Sequence, residues 1–253
     1  MEYLSSLFDS GRQYRTIALH RSVLSSMFPP LDGFLLGTHP TVSRLMKGVF
    51  NRRPPSRRLF QSWDVAKVFA SFPTSLDFAA LQEKTAFLLA MASSRRPSEL
   101  ATLRCDDHFM NIDGAAVRFI PSALSKTDRQ THLGPAIRIL RLPASDDSSP
   151  CPVATLEALL QKRRELDIGH DFLFSSASSP HVPISVSGFS ALLKSSFRRA
   201  GISAPPGSTR SISVSDAFAR GASIDQVLLA GDWSAHQTFF RHYLRPSASV
   251  AGQ

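Results

Sequence analysis

Phe87-Leu88-Leu89-Ala90-Met91-Ala92-Ser93-Ser94-Arg95-Arg96-Pro97-Ser98-Glu99-Leu100 joins an apolar run to two adjacent arginines. A run with so little polar relief belongs inside a globule, so the spacing predicts a core helix over Phe78–Ser93. Ser94-Arg95-Arg96-Pro97 breaks that helix. Pro97 has no N–H to lose and suits the first position of a short amphipathic helix predicted over 98–104. Glu99 lies three residues after Arg96 on one helical face, where a carboxylate can steady a guanidinium aimed at a phosphate. Taken alone, the same pair reads more simply as a solvated ion pair at a helix start.

Upstream, residues 16–28 have helical apolar spacing and stop at Pro29-Pro30, and a second helix over 41–51 stops before Pro54-Pro55. Arg52-Arg53-Pro54-Pro55-Ser56-Arg57-Arg58 then reads as a linker, because proline bars helix and like charges repel compaction. It is equally a phosphate-contacting or nuclear-import segment. Asp64 caps a helix expected over 65–71.

Downstream the period changes. Residues 109–112 and 117–120 flank Asp113-Gly114, which predicts a hairpin closed by a two-residue type I′ turn. A third strand is expected over 137–142, with Ser125-Lys126-Thr127-Asp128 in the connection before it. Helices follow over 153–166, 187–200, 211–220 and 224–230, with a last one ending near Tyr243 and a frayed tail from 246. The expected fold class is mainly α with a small antiparallel sheet (α+β).

The chain has 253 residues, 43% of them hydrophobic and 19% charged, which fits a packed globule. Its formal net charge of +9 attracts polyanions, chiefly nucleic acid. Only six of the basic residues are lysines (Lys47, Lys67, Lys84, Lys126, Lys162, Lys194), and arginine's planar fork suits phosphate better than an ammonium does. Cys105 and Cys151 form no CxxC pair, so neither a metal cluster nor a disulfide framework is supported. The N-terminus lacks a secretion signal, and no apolar run is long enough to span a bilayer. A soluble intracellular protein is expected, with no membrane partner.

Near the C-terminus, Ser208-Thr209-Arg210-Ser211 precedes a predicted helix, and hydroxyls there are expected to meet phosphate oxygens. Gly231-Asp232-Trp233-Ser234 follows, then Phe239 and Phe240 before Tyr243 and Pro246. Singly, Tyr243 and Trp233 read as packing residues. Their order is more informative. An arginine with an acidic residue three later, a lysine beside a hairpin, a second arginine, a Gly-x-Trp step and a late tyrosine resemble the motif of the tyrosine recombinases. Nearly the whole chain resembles the recombinases of DIRS-like and Ngaro-like retroelements. The carriers are Ser208 to Ser211, Gly231 to Ser234, Phe239 to Pro246, the helix over 16–26, and Lys47 to Pro55.

That resemblance implies a catalytic domain over 59–246, preceded by a partial helical core-binding (SAM-like) domain and linker over 1–58 and followed by a tail over 247–253. It implies that Tyr243 attacks a phosphodiester of double-stranded DNA, leaving a 3′-phosphotyrosyl link. A phenol with pKa near 10 is a poor nucleophile and needs a cage that stabilises developing charge. Arg96 and Arg210 would clamp the non-bridging oxygens, Lys126 would protonate the departing 5′-oxygen, and Glu99 would hold the cations. Trp233 would donate its indole N–H to the phosphate. No metal or other cofactor is required on this scheme. Arg52, Arg53, Arg57, Arg58 and Arg95 are candidate DNA contacts. Self-association as a tetramer on DNA and a nuclear location follow from the likeness.

Where the family has histidine, three residues before its second arginine, this chain has Gly207. Glycine can neither take a proton from Tyr243 nor bond a phosphate, and losing one general acid/base group costs about 10²–10⁴ in rate. His236 or His242 stand near enough in sequence to be considered as substitutes. Three readings result: an active integrating enzyme, an impaired or inactive DNA-binding relic, and a helical interaction protein whose charge is incidental. A type IB topoisomerase shares the chemistry but not the retroelement-like motifs.

Overall fold

The computed structural model describes residues 1–55, 62–74, 77–125, 128, 133–143 and 150–233. The chain divides into two compact units, Met1–Leu59 and Phe60–Gln253. Among the described residues it is mainly helical, with one three-stranded antiparallel sheet.

In the first unit, helices α1 (Glu2–Asp9), α2 (Tyr14–Met27) and α3 (Pro40–Arg52) enclose a small core of Leu4, Ile17, Val42, Met46 and Val49. Helix α2 ends as proline patterning requires, and α3 opens on Pro40, whose missing N–H costs nothing at a first turn.

The second unit is built around α5 (Phe78–Ser93). Ten of its sixteen residues are buried, and it packs on α7 (Pro152–Glu165), α8 (Val186–Arg199) and α9 (Ser208–Ala219). A helix surrounded on several sides must satisfy its polar groups internally. Gln82 Oε1 accepts the Ser175 N–H at 2.6 Å, and the Glu83 carboxylate meets the Arg199 guanidinium at 3.1 Å. Helix α4 (Val65–Ala70) is capped by the Asp64 carboxylate. Phe87 is fully buried among Trp63, Phe69, Phe72 and Phe197. A second core, Val214, Val227, Leu228 and Trp233, lies under α9 and α10 (Ile224–Gly231).

Strands β1 (Met110–Ile112), β2 (Ala116–Phe119) and β3 (Ile137–Leu140) pair in the order β1-β2-β3, with Ile112 opposite Val117 and Val117 opposite Ile139. The expected type I′ turn is not formed, because neither Asp113 nor Gly114 has a positive φ. Instead the Asp113 carboxylate accepts the N–H groups of Ala115 and Ala116, both at 2.8 Å, holding its pKa below the usual range. Two helix bounds also differ by three residues or more. Helix α6 (Pro97–Leu100) is shorter than predicted, and α9 begins three residues earlier. The helix expected to end near Tyr243 lies outside the described residues, as do the tail, Lys126, Arg57 and Arg58. No described helix is long and apolar enough to cross a membrane.

Candidate active site

Helix α5 ends at Ser94 in the left-handed conformation, φ 53°. A non-glycine residue there costs about 1–2 kcal/mol, and such turns persist where packing holds them. Here the Ser94 hydroxyl is buried 2.7 Å from that of Ser213 on α9. After this turn the two arginines separate. The Arg96 side chain remains 22% exposed and bonds the Glu99 carboxylate, while Arg95 is only 2% exposed. Arg95 Nη2 donates to the Pro135 carbonyl at 3.0 Å, and its Nη1 lies 3.7 Å from Glu99 and 3.6 Å from Asp232. Burial lowers the Arg95 pKa, and Glu99 and Asp232 oppose that shift. A guanidinium nonetheless stays charged.

The second arm is the start of α9. Ser208 and Thr209 do not precede this helix but form its first turn, and both are buried. Their hydroxyls are therefore used internally: Ser208 accepts the Trp63 indole N–H at 3.0 Å, and Thr209 donates to the Pro206 carbonyl at 2.9 Å. The expectation that they meet phosphate is corrected on that ground. Arg210 is buried, donates to the Gly231 carbonyl at 2.6 Å, and lies 3.9 Å over the centre of the Trp233 ring. A weakly hydrated guanidinium on an indole face is a favourable way to bury a cation.

The third arm is the end of α10. Its C-cap, Asp232, is also left-handed, at φ 53° and ψ 57°, and turns Trp233 back over the helix end. A Cβ at Gly231 would sit 1.7 Å from the Trp233 ring, so this Gly-Asp-Trp step admits no other residue at its first position. Between these arms lies the connection from β2 to β3. Asp128 closes its base by accepting the N–H groups of Ser125 at 2.5 Å and Gly134 at 2.7 Å. The Ser125 hydroxyl also donates to Asp232 at 3.2 Å.

Contacts between Ser94 and Ser213, Arg95 and Asp232, and Ser125 and Asp232 thus gather residues 94–99, 210–213 and 231–233 with Ser125, Asp128 and Gly134. Four predicted residues, Arg96, Glu99, Arg210 and Trp233, lie on these joined segments. Lys126 follows Ser125 directly, and Gly207 is the N-cap of α9. Two of the candidate DNA contacts are occupied otherwise. Arg95 is buried as above, and Arg53 donates to the carbonyls of Phe8 and Arg12, at 3.0 and 2.8 Å. Arg52 is exposed at the end of α3.

Arg96 keeps donors beyond its bond to Glu99, since a guanidinium carries five N–H groups, and it is the most exposed of the three arginines. Preorganised guanidiniums of this kind suit a phosphate on which charge develops. Ser94, Ser125, Asp128, Ser213 and Asp232 were not singled out from sequence. Of these, only Asp232 stood inside a recognised motif.

The chain matches the phage integrase family over residues 64–249. No curated protein matches it in sequence. It is similar in fold to the crystal structure of XerA recombinase, with TM-score 0.55 and 16% identity, covering 98% of this chain and 87% of that one. It is likewise similar to the Tn1549 transposon integrase in complex with circular intermediate DNA, with TM-score 0.60, 13% identity, and 99% and 81% of the two chains covered. A lambda integrase tetramer bound to a Holliday junction gives TM-score 0.53 at 18% identity, over 92% of this chain and 62% of that one. At such identities these likenesses show the fold.

Proposed function

The chain belongs to the phage integrase family, the tyrosine recombinases, and we propose that it cuts and rejoins double-stranded DNA through a 3′-phosphotyrosyl intermediate on behalf of a mobile element. The phenol oxygen of Tyr243 attacks the scissile phosphorus as the bond to the 5′-oxygen breaks. Lys126 supplies the proton to that leaving oxygen. Arg96 and Arg210 hold the non-bridging oxygens while charge builds, Glu99 holds Arg96, and Trp233 supports Arg210 and offers its indole N–H. With glycine at 207, the phenol proton passes to water.

The observation that carries this reading is the convergence of residues 94–99 with 210–233. Segments more than 100 residues apart are tied by the buried bond between Ser94 and Ser213 and the ion pair between Arg95 and Asp232. The net charge of +9 supports a DNA partner. The retroelement-like motifs support an element of the DIRS or Ngaro kind, a nuclear site of action and a tetramer on DNA. On the same likeness, residues 1–58 belong to a helical core-binding domain and its linker.

The test is a pool of nicked suicide duplexes with randomised sequence, incubated with the protein and a chelator. A covalent protein–DNA adduct that disappears in Tyr243→Phe is expected. Equal adduct yield from Tyr243→Phe, or adducts that need a divalent metal, would overturn the assignment.

A second reading, a DNA-binding relic that no longer cleaves, is favoured by one observation. Position 207, three residues before Arg210, is glycine, and a Cβ built there meets no described atom within 4 Å. Salt-sensitive DNA binding without adduct, converted to cleavage by Gly207→His, distinguishes it.

A further inference from the structure

Asp232 has no part in the chemistry above, yet its side chain is only 6% exposed and sits at the C-terminus of α10. That is a poor place for a buried carboxylate. The helix dipole disfavours negative charge there, and a left-handed C-cap is met at lower cost by glycine or asparagine. The charge is instead answered by two other segments: Arg95 Nη1 at 3.6 Å and the Ser125 hydroxyl at 3.2 Å. Gly134 passes close beside it. A Cβ at 134 would lie 3.3 Å from Asp232 Oδ2 and 3.1 Å from Asp128 Oδ1. Two carboxylates therefore flank the base of one connection, with Arg95 as a buried cation common to Asp232 and Glu99.

We propose that Asp232 is a positioning residue which, with Arg95 as counter-ion, ties the connection bearing Lys126 to the turn presenting Trp233. Its effect is to hold the proton donor at the leaving 5′-oxygen. Arg95, read from sequence as a DNA contact, acts through this tie. The inference rests on the recombinase reading for its chemistry, though not for the tie itself.

Asp232→Asn tests it, because asparagine accepts the left-handed turn and removes only the charge. Single-turnover adduct formation is compared on two nicked duplexes, one with an oxygen and one with sulfur at the bridging 5′ position. A thiolate leaves without needing a proton, so a misplaced donor is bypassed. On the oxygen substrate Asp232→Asn is expected to lose about tenfold or more, and on the sulfur substrate less than about threefold. DNA affinity stays within about twofold, since no phosphate contact is removed. Amide exchange at Ser125 and Gly134 accelerates by about fivefold or more as the local opening energy falls. Gly134→Ala, which presses on the same carboxylate sterically, shows the same pattern.

Equal losses on both leaving groups, or unchanged exchange at Ser125 and Gly134, would overturn the inference. Absence of any adduct from the unsubstituted chain on both substrates overturns the recombinase reading and the proton-donor role with it. The exchange measurement then decides the tie independently.

Discussion

On the recombinase reading proposed above, replacing Gly207 by histidine supplies the general acid/base group that the motif has at this position. The backbone at 207 is helical, φ −67° and ψ −8°, a conformation any residue adopts, and an added Cβ meets no described atom within 4 Å. The substitution is therefore sterically free at its first atom. Energetically it is close to neutral. Glycine is a fair N-cap and histidine a poorer one, costing about 0.5–1 kcal/mol. The lost freedom of glycine in the unfolded chain offsets this by about 0.4–1 kcal/mol. A thermal midpoint within about 4 °C of the parent is expected. The rate of adduct formation should rise by about 10²–10⁴, the usual worth of one general acid/base group. That corresponds to about 2.7–5.4 kcal/mol of barrier. The assay is single-turnover adduct formation on nicked duplex, followed against pH. A base works when unprotonated, so the gained rate should grow as pH rises through about 6.5 and then level, a step absent from the parent. A well-folded Gly207→His protein whose rate stays within about threefold of the parent and shows no such step would refute the reasoning.

Three further outcomes are expected. Ser94→Ala removes a buried partner of Ser213 and should destabilise by about 1–3 kcal/mol in chemical denaturation, with a larger fractional loss of activity than of stability. Phe87→Ala opens a cavity in the aromatic cluster around α5 and should cost about 3–5 kcal/mol, read from the urea midpoint. The Asp113 carboxyl is held below its ordinary pKa by the N–H groups of Ala115 and Ala116. Its stabilisation is therefore present above the unfolded value of about 3.9 and lost as pH falls through the folded one. Thermal midpoints of the parent and Asp113→Asn should differ at neutral pH and converge in acid.

Much of the fold was legible because its helices carry strong apolar periodicity between proline stops. Phe78–Ser93 was read to the residue, and the sheet's three strands were located within two residues. The failures have physical causes. Ser208, Thr209 and Arg210 looked like a polar lead-in by propensity, but burial against Trp63 and Trp233 draws them into the first turn of α9. The Asp-Gly turn was misread because Asp113 satisfies two backbone donors with its own side chain, which makes positive φ unnecessary. Arg95 and Arg96 could not be told apart in advance. A left-handed Ser94 interrupts the helical phase, so spacing no longer says which of the two points inward. Asp232 was invisible as a functional residue for a related reason: a single left-handed position leaves no periodic trace.

The central claim is that Arg96 and Arg210, far apart in the chain, neutralise charge on one phosphate. It is tested most directly by giving Arg96→Ala and Arg210→Ala, each in the background that cleaves, a nicked duplex whose scissile phosphate is replaced by methylphosphonate. Removing a charged oxygen removes the charge these guanidiniums stabilise. Both variants should therefore be slower by about 10²–10³ on the phosphate duplex and by less than about tenfold on the methylphosphonate. Equal defects on the two duplexes, in either variant, would contradict it.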